Sequence, residues 1–332
     1  MAEAECEPAW LDSLLITALL AGQRVRKPAS CDLRELPQLG LLWDSESIWL
    51  PSSVQALRGS DLQRRMSHAA QRLWPNLEVC PAIGSTNSAL MALGERARGR
   101  ALVTEYQFGG RGRRGRQWLS SVGQNLCFSL GLRISGPLDR SAGLSLVVGL
   151  AVADALVTSG LAGVQLKWPN DVIVMLDQEH YAKLGGILVE LQLQEDECTA
   201  VVGIGLNLGG AQAARLGTDA ALADIAELLP SVDRSDILVG LLNTLADYLD
   251  NFLVQGFAPM KEAWNALHAF HGREVRLHSG STTESEQGLG QTLNVGTVLG
   301  VGDSGTLLLR TNEGQKVEFG AGEVSLRLGK YR

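Results

Sequence analysis

Aromatic residues make up only 5 % of the 332-residue chain, too few for a carbohydrate-binding surface or a single-stranded nucleic-acid groove built on stacked rings. Cysteine is sparse as well. The five present (Cys6, Cys31, Cys80, Cys127, Cys198) are odd in number and scattered, with no CxxC pair and no neighbouring Cys/His cluster. That pattern argues against a structural zinc site and fits free thiols in a reducing cytoplasm. No unbroken apolar run reaches the length of a membrane span, and the opening MAEAECEP is acidic where a secretory signal is basic. A cytoplasmic protein without a membrane segment is expected. Positive charge is not in excess either: the formal net charge is −7, which argues against nonspecific DNA binding by the whole surface. Neither GKS/GKT nor GxGxxG occurs, and there is no internal repeat or low-complexity tract. None of the histidines (His68, His180, His268, His271, His278) lies in a polar cluster with a thiol or hydroxyl, so an acyl-enzyme route has no support.

What is abundant is aliphatic: 45 % of residues are hydrophobic, and glycine reaches 38, a composition suited to an α/β interior. The length suits two or three domains. Residues 9–22 place Trp10, Leu14, Leu15, Ala18 and Leu19 on one helical stripe ended by Gly22. A basic RVRKP follows, then a brief helix stopped by Pro37 and a hairpin of Leu41–Trp43 with Ser47–Leu50 turned through Asp44–Glu46. Helical patterning resumes over Leu57–Leu73. From Leu77 to Leu208 strand-like runs alternate with turns, around a helix over Ser141–Val157 that is too apolar all round to lie on a surface. Further helices cover Asp236–Phe252 and end near Ala269. From Gly272 five short glycine-punctuated strands suggest a small SH3-like barrel. The expected fold class is α+β, a mixed sheet with packed helices, divided as 1–60, 61–270 and 271–332.

The strongest local signal is Gly109–Trp118, GGRGRRGRQW, with four arginines and four glycines and no acidic neighbour in sequence. Glycine permits close backbone approach, and guanidinium forks bind phosphate or carboxylate in bidentate fashion. Such a loop is expected to order against an anion. A solvated basic loop and an RNA-binding RG tract are the alternatives; the second is disfavoured because the patch is single and lacks interleaved aromatics. KWPND (Lys167–Asp171) puts an aromatic, an amide and a carboxylate at a strand end, where Asp171 suits a divalent ion on nucleotide phosphates, although a PND turn is often only a turn. Lys183 precedes LGGILVE, whose Gly185 and Gly186 open a sheet face. GIGLN ends in Asn207, and GSTN supplies Ser85, Thr86 and Asn87 as a polar cradle or a helix cap. Together these strand ends describe a site for a polar-headed small molecule plus an anion.

In this order, GSTN, GRGRRGRQW, KWPND, KLGGILVE and GIGLN closely resemble the bacterial biotin–protein ligase (biotin–acetyl-CoA-carboxylase ligase) family, over residues 77–332. The resemblance implies a class II aminoacyl-tRNA-synthetase-like catalytic domain with a small SH3-like C-terminal domain. It implies ATP and Mg²⁺ as co-substrate and cofactor, biotin as substrate, and a biotin carboxyl carrier domain of a biotin-dependent carboxylase as partner. By motif, Ser85, Thr86 and Gln107 match contacts to the ureido head of biotin, while Gly110 and Arg111 close over it. Arg113 and Arg116 match phosphate-holding residues, and Lys183 the one beside the reacting carboxylate; Arg113 and Lys183 are the catalytic pair. Asn170 and Asp171 fall on the nucleotide and metal side, Asn207 at an adenine-side amide, and Arg327 on a nucleotide-reaching arginine. Gly185 and Gly186 make room for biotin. Asn87, Trp118 and Lys167 complete the binding set.

Two departures stand out. The N-terminal module resembles a truncated winged helix: the span KPASCDLRELPQLG is too short and proline-broken for a recognition helix, so DNA binding is not expected, while a homodimer remains compatible. After Asn207 there is no aromatic to stack on adenine, and Leu222 is left to offer apolar contact. A lipoate or octanoate ligase, and a ligand-sensing DNA-binding repressor, are the competing readings.

Overall fold

The computed structural model describes residues 8, 10–194, 197–209, 221–230, 233–279, 292–320 and 324–328, without the side chains of 194, 278–279, 292–295 and 324–328. Its strands form three sheets.

The first is small. Helix α1 (Ser13–Leu20) begins where the Asp12 carboxylate accepts the Leu15 N–H. Ile16 and Leu19 face inward and Leu14 is 82 % exposed, which corrects the expected stripe: Trp10 joins the core from the turn before the helix and so does not set its phase. Strands β1 (Val25–Arg26), β2 (Leu42–Trp43) and β3 (Ser47–Trp49) follow in the spatial order β1–β3–β2. The expected hairpin turn is closed by the Asp44 carboxylate, which accepts from the Glu46 and Ser47 amides. In place of a brief helix before Pro37, residues 33–40 make successive turns. The patterned run 57–73 is two helices, α2 (Gly59–Arg65) and α3 (His68–Leu73), because Met66 is extended and Ser67 caps the second by accepting from Ala70 N–H.

The central sheet contains β4 (Asn76–Cys80), β5 (Arg100–Thr104), β6 (Asn125–Ser135), β7 (Val164–Lys167), β8 (Asp171–Met175), β9 (Tyr181–Gln194) and β10 (Glu197–Asn207). Their order is β4–β5–β6–β10–β9–β8–β7, antiparallel except for the parallel β4–β5 pair. Between those two runs α4 (Thr86–Ala92). The apolar helix is α5 (Leu144–Thr158), buried from Leu144 to Leu156 except at Ser145 and Asp154. After α6 (Ile225–Leu228), the long α7 (Arg234–Gln255) packs on α5 and α3, and α8 (Lys261–Leu267) leads out of the layer. The segments Leu138–Thr158 and Arg234–Gln255, each interrupted by charged residues, have the length and hydropathy of membrane spans; here they pack on each other and on the sheet.

The last sheet orders β11 (Glu274–Ser279), β12 (Thr292–Val301), β13 (Leu307–Thr311), β14 (Lys316–Phe319) and β15 (Val324–Leu328) as β14–β13–β12–β11–β15. All five expected strands are present, as a curled half-barrel. Val275, Leu277, Val298 and Leu309 on its inner side join the same apolar core as α5, α7 and the central sheet. The Trp168 indole N–H donates to Gly305 O at 3.1 Å, tying this sheet to the β7–β8 hairpin.

Candidate active site

A cavity of about 440 Å³ opens over one face of β6, β10 and β9, between the β4–α4 turn, the arginine–glycine loop and the β7–β8 hairpin. Pairing fixes which residues share that face. Ser129, Gly203 and Leu188 lie opposite one another across the three strands, as do Cys127, Gly205 and Gly186. The two glycines of β10 have distinct reasons. A Cβ on Gly203 would lie 2.2 Å from Asn87 Oδ1, and one on Gly205 would lie 2.5 Å from the Trp118 ring. They are absences that admit an amide and an indole. Gly186 shares the cavity face, but Gly185 points to the other side, where a Cβ would strike Leu206 at 2.3 Å. Gly185 therefore lines the core rather than the cavity. Gly110 likewise packs its backbone on Trp118 O and is not in the lining.

The floor is one connected polar network. Ser85 caps α4, accepting from Ser88 N–H. Gln107 Oε1 accepts from the Thr86 amide at 2.9 Å. The Ser129 hydroxyl donates to Asn87 Oδ1 at 2.6 Å, leaving its lone pairs for the Thr86 hydroxyl at 2.7 Å. Asn87 Nδ2 donates onward to Glu190 Oε2 at 2.9 Å. Thr86, Asn87, Gln107 and Ser129 are all buried. In such a setting satisfied groups are rigid and an unsatisfied one is costly.

The loop forms the roof. Arg111 bridges Gln117, the Gly112 amide donates to Arg116 O at 2.7 Å, and Arg114 sits at φ 59° in the tight turn Arg113–Gly115. The sequence supplied no acid nearby, but the fold does: the Arg111 guanidinium pairs with Glu190 of β9. Arg113 Nη1 donates to Asn170 Oδ1 at 3.0 Å across the cavity. Burial, then the nearby Arg114 and Arg116 charges, lower the Arg113 pKa, opposed by Asp171.

At the hairpin end Asp171 pairs with Lys183 at 2.6 Å and with Lys167 at 3.3 Å. Burial works against the Asp171 charge, but the two ammonium groups outweigh it and hold its pKa well below the carboxylate range. Burial also works to lower the Lys167 pKa, and Asp171 and Tyr181 reverse that and raise it. Lys183 reaches this point through a β-bulge. Val172 pairs with Gly185 and Ile173 with Lys183, so Leu184 is extra and the alternation changes phase between Lys183 and Gly186. Asn170 Nδ2 donates to Ile187 O at 2.9 Å. Asn207 is buried, donating to Lys183 O and accepting from Asn125, an amide that braces three strands. Leu222 lines the cavity beside Lys183. Burial pushes the Cys127 thiol up to about 12, opposed by the Trp118 indole and Arg234; it is a neutral wall at ordinary pH.

The structure thus gathers Ser85, Thr86, Asn87, Gln107, Arg111, Arg113, Arg116, Trp118, Lys167, Asn170, Asp171, Lys183, Gly186 and Asn207 on one cavity and sets Gly110 and Gly185 behind it. The strand carrying Arg327 pairs with β11; its side chain lies outside the described residues. Sequence reasoning missed Ser129, Arg114 and Glu190. The isolated serine within the apolar run LCFSL was a usable signal for Ser129, whereas Glu190 gains its role only from the pairing of β9 with β10.

Among the described residues no group of three or more His, Cys, Asp or Glu side chains is placed to hold a metal. Among the described residues Asp171 is the one carboxylate in the lining, and it already pairs with two lysines. The chain's own described residues therefore do not make a resident metal centre.

A family model described as the Biotin/lipoate A/B protein ligase family matches residues 80–207, and one described as the Biotin protein ligase C terminal domain matches residues 278–327. The chain is 33 % identical over 280 residues to the Bifunctional ligase/repressor BirA of Salmonella typhimurium, covering 84 % of this chain and 81 % of that one. It is 35 % identical over 240 residues to the Biotin--[acetyl-CoA-carboxylase] ligase of Paracoccus denitrificans, covering 70 % and 93 %. The solved biotin protein ligase from Aquifex aeolicus in complex with biotin and ATP matches with a TM-score of 0.60 at 29 % identity, over 77 % of this chain and all of that one. The first family match spans the strands and the loop that build the cavity, and the second falls on the curled sheet. The chain belongs to the biotin protein ligase family.

Proposed function

We propose that this enzyme joins the carboxylate of biotin to the α-phosphate of ATP, releasing pyrophosphate, and then passes the biotinyl group to a lysine of a carrier domain, releasing AMP. In the first step a carboxylate oxygen attacks the α-phosphorus and the bond to the pyrophosphate oxygen breaks. In the second the lysine amine attacks the acyl carbon, loses a proton and displaces AMP, leaving an amide. The observation that carries this reading is the charge of the cavity. Among the described residues, Arg111, Arg113, Arg114, Arg116, Lys167 and Lys183 line the cavity against two carboxylates, Asp171 in the lining and Glu190 beside Arg111, inside a chain whose net charge is −7. An acid and a polyphosphate brought together there repel each other, and prearranged cations offset that repulsion most where negative charge gathers at the α-phosphorus.

Each group has a place in the scheme. Ser85, Thr86, Asn87 and Gln107 offer the hydrogen bonds of the floor to the ureido head. Trp118 and Gly186 line the path of the acyl chain. Lys183 and Arg113 stand by the reacting carboxylate and phosphate, and Arg116 by the remaining phosphates. Asn170 holds Arg113, Lys167 shares Asp171 with Lys183, and Asn207 with Leu222 borders the adenine side. The family motif assigns Arg327 to the nucleotide. Magnesium would enter with the nucleotide, held by its phosphates and by water, and would there offset phosphate charge. The roof excludes water from the mixed anhydride. The division 1–60, 61–270 and 271–332 and a cytoplasmic location belong to the same reading.

The test is direct. With ATP labelled at the α-phosphate, biotin and a carrier domain, the protein should form biotinyl-adenylate and then label the carrier lysine, and Arg113→Ala should suppress the first step without lowering the melting temperature. Adenylate formed with lipoate but not biotin would transfer the assignment to a lipoate ligase.

A further inference from the structure

A second carboxylate stands at the rim of the cavity, and no motif singled it out. Glu190 follows Gly186 and Leu188 on the cavity face of β9. One of its oxygens accepts from Asn87 Nδ2 at 2.9 Å, and the other is bound by the Arg111 guanidinium. The same guanidinium donates to Ser88 Oγ at 2.9 Å. The first arginine of the loop therefore reaches across from the roof to the walls, where α4 and β9 hold it. By contrast, the bonds from Trp118 N–H to Gly110 O and from Gly112 N–H to Arg116 O are internal to the loop and travel with it. Lifting the roof must break the contacts of Arg111, whereas the internal ones survive.

We propose that Glu190 is a positioning residue that latches the arginine–glycine loop over the cavity and, with its other oxygen, orients the Asn87 amide on the floor. One group thereby sets both surfaces between which the small molecule lies. The latch is suited to opening in every cycle. Arg111 is about half exposed and Glu190 about a quarter, so water and salt compete for the pair. The inference rests on the adenylation reading above, because a closed roof serves to keep a water-labile acyl-adenylate in place until the acceptor arrives.

Glu190→Gln separates the two arms. The amide keeps an oxygen for Asn87 and loses the charge that Arg111 pairs with, so the floor stays and the latch loosens. In the ligand-free enzyme, trypsin should cut after Arg113, Arg114 or Arg116 about fivefold faster than in wild type, the scale expected for one partly exposed ion pair. Preformed acyl-adenylate should leave about fivefold faster as well, with an unchanged melting temperature. Arg111→Met should accelerate release similarly, and adding Glu190→Gln to it should change little more, since both remove one interaction. Raising salt should speed release from wild type more than from Glu190→Gln, because only wild type has the pair with Arg111 to lose. Equal cleavage and release in wild type and Glu190→Gln, or strictly additive effects in the double variant, would overturn the latch. If wild type made no acyl-adenylate from any acid, the adenylation reading would fail, and the ligand-free cleavage comparison would still decide the latch.

Discussion

Gly203 is defined by its neighbour's side chain. The space its missing Cβ leaves is filled by the Asn87 amide, which Ser129 and Glu190 hold from two sides, so Asn87 cannot step aside without breaking a buried network. Gly203→Ala should cost about 1–3 kcal/mol of stability, the range for overpacking a tight interior. It should also raise KM for the acid substrate more than it lowers kcat, because Asn87 belongs to the binding floor and not to the reacting end. Thermal melts and steady-state kinetics read the two effects separately; a wild-type KM would show that the floor yields. His268 makes a different kind of prediction. Its Nδ1 accepts from Phe270 N–H at 3.0 Å and its ring lies edge-on to Trp264. Burial, with His271 adding to it, lowers its pKa from 6.5 to about 3. Between those values the unfolded chain binds a proton that the folded protein refuses. The stability associated with the neutral ring is thus complete above 6.5 and is lost as pH falls toward 3. His268→Asn offers an oxygen in place of Nδ1 and removes the titration. Its melting temperature should fall less than that of wild type between about pH 7 and about pH 5, a comparison in which the carboxylates common to both proteins cancel. An identical fall in both would show that His268 does not contribute.

Elements differ in how far the sequence declares them. The hairpin at Asp44 was legible because a single side chain closes it through two amides, and the five terminal strands were legible because glycines interrupt short runs of β-branched and leucine residues. The helix Leu144–Thr158 announced its burial by lacking a polar face. In each case the cause is local. The bulge that brings Lys183 to the cavity was not legible, since it exists only in the pairing of β8 with β9. A strict alternation from Lys183 would put Gly185 on the same face as the lysine; the extra residue, Leu184, exchanges Gly185 for Gly186. That is why the sequence treats the two glycines alike and the sheet does not. The acid for Arg111 was hidden for the same reason, lying 79 residues away in the chain. The break at Met66–Ser67 was readable in principle, because serine before a helical run is a cap, but the apolar periodicity of the surrounding residues runs through it. Most residues named by motif meet on one cavity, because each motif ends a strand or turn that borders it. Those that act through cross-strand geometry, such as Glu190, were not legible.

At the scale of the molecule, the N-terminal module and the roof of the cavity share one apolar cluster. Leu36, Leu39, Leu41 and Ile48 pack with Tyr106 and Val122, and Phe108 lies against them. These last three residues flank the arginine–glycine loop on both sides. Backbone and side-chain bonds follow the same seam: Val122 N–H donates to Leu39 O at 3.0 Å, and Ser121 Oγ and Gln124 Nε2 donate to Gln38 O and Gly40 O at 2.8 Å. At its inner end the buried Glu105 carboxylate accepts from Leu57 N–H at 2.6 Å and pairs with Arg234 at the start of α7. A loosened module should therefore be felt at the loop's stems before it is felt in the sheet. Ile48→Ala removes fully buried methyl groups and should cost about 2–4 kcal/mol. Hydrogen exchange should then rise not only over 10–54 but also over 104–124, with the Val122 amide among the first to gain, while 125–135 in the centre of the sheet stays protected. Exchange that rose over 10–54 alone would mean that the module moves without the loop, and the shared cluster would carry no mechanical coupling.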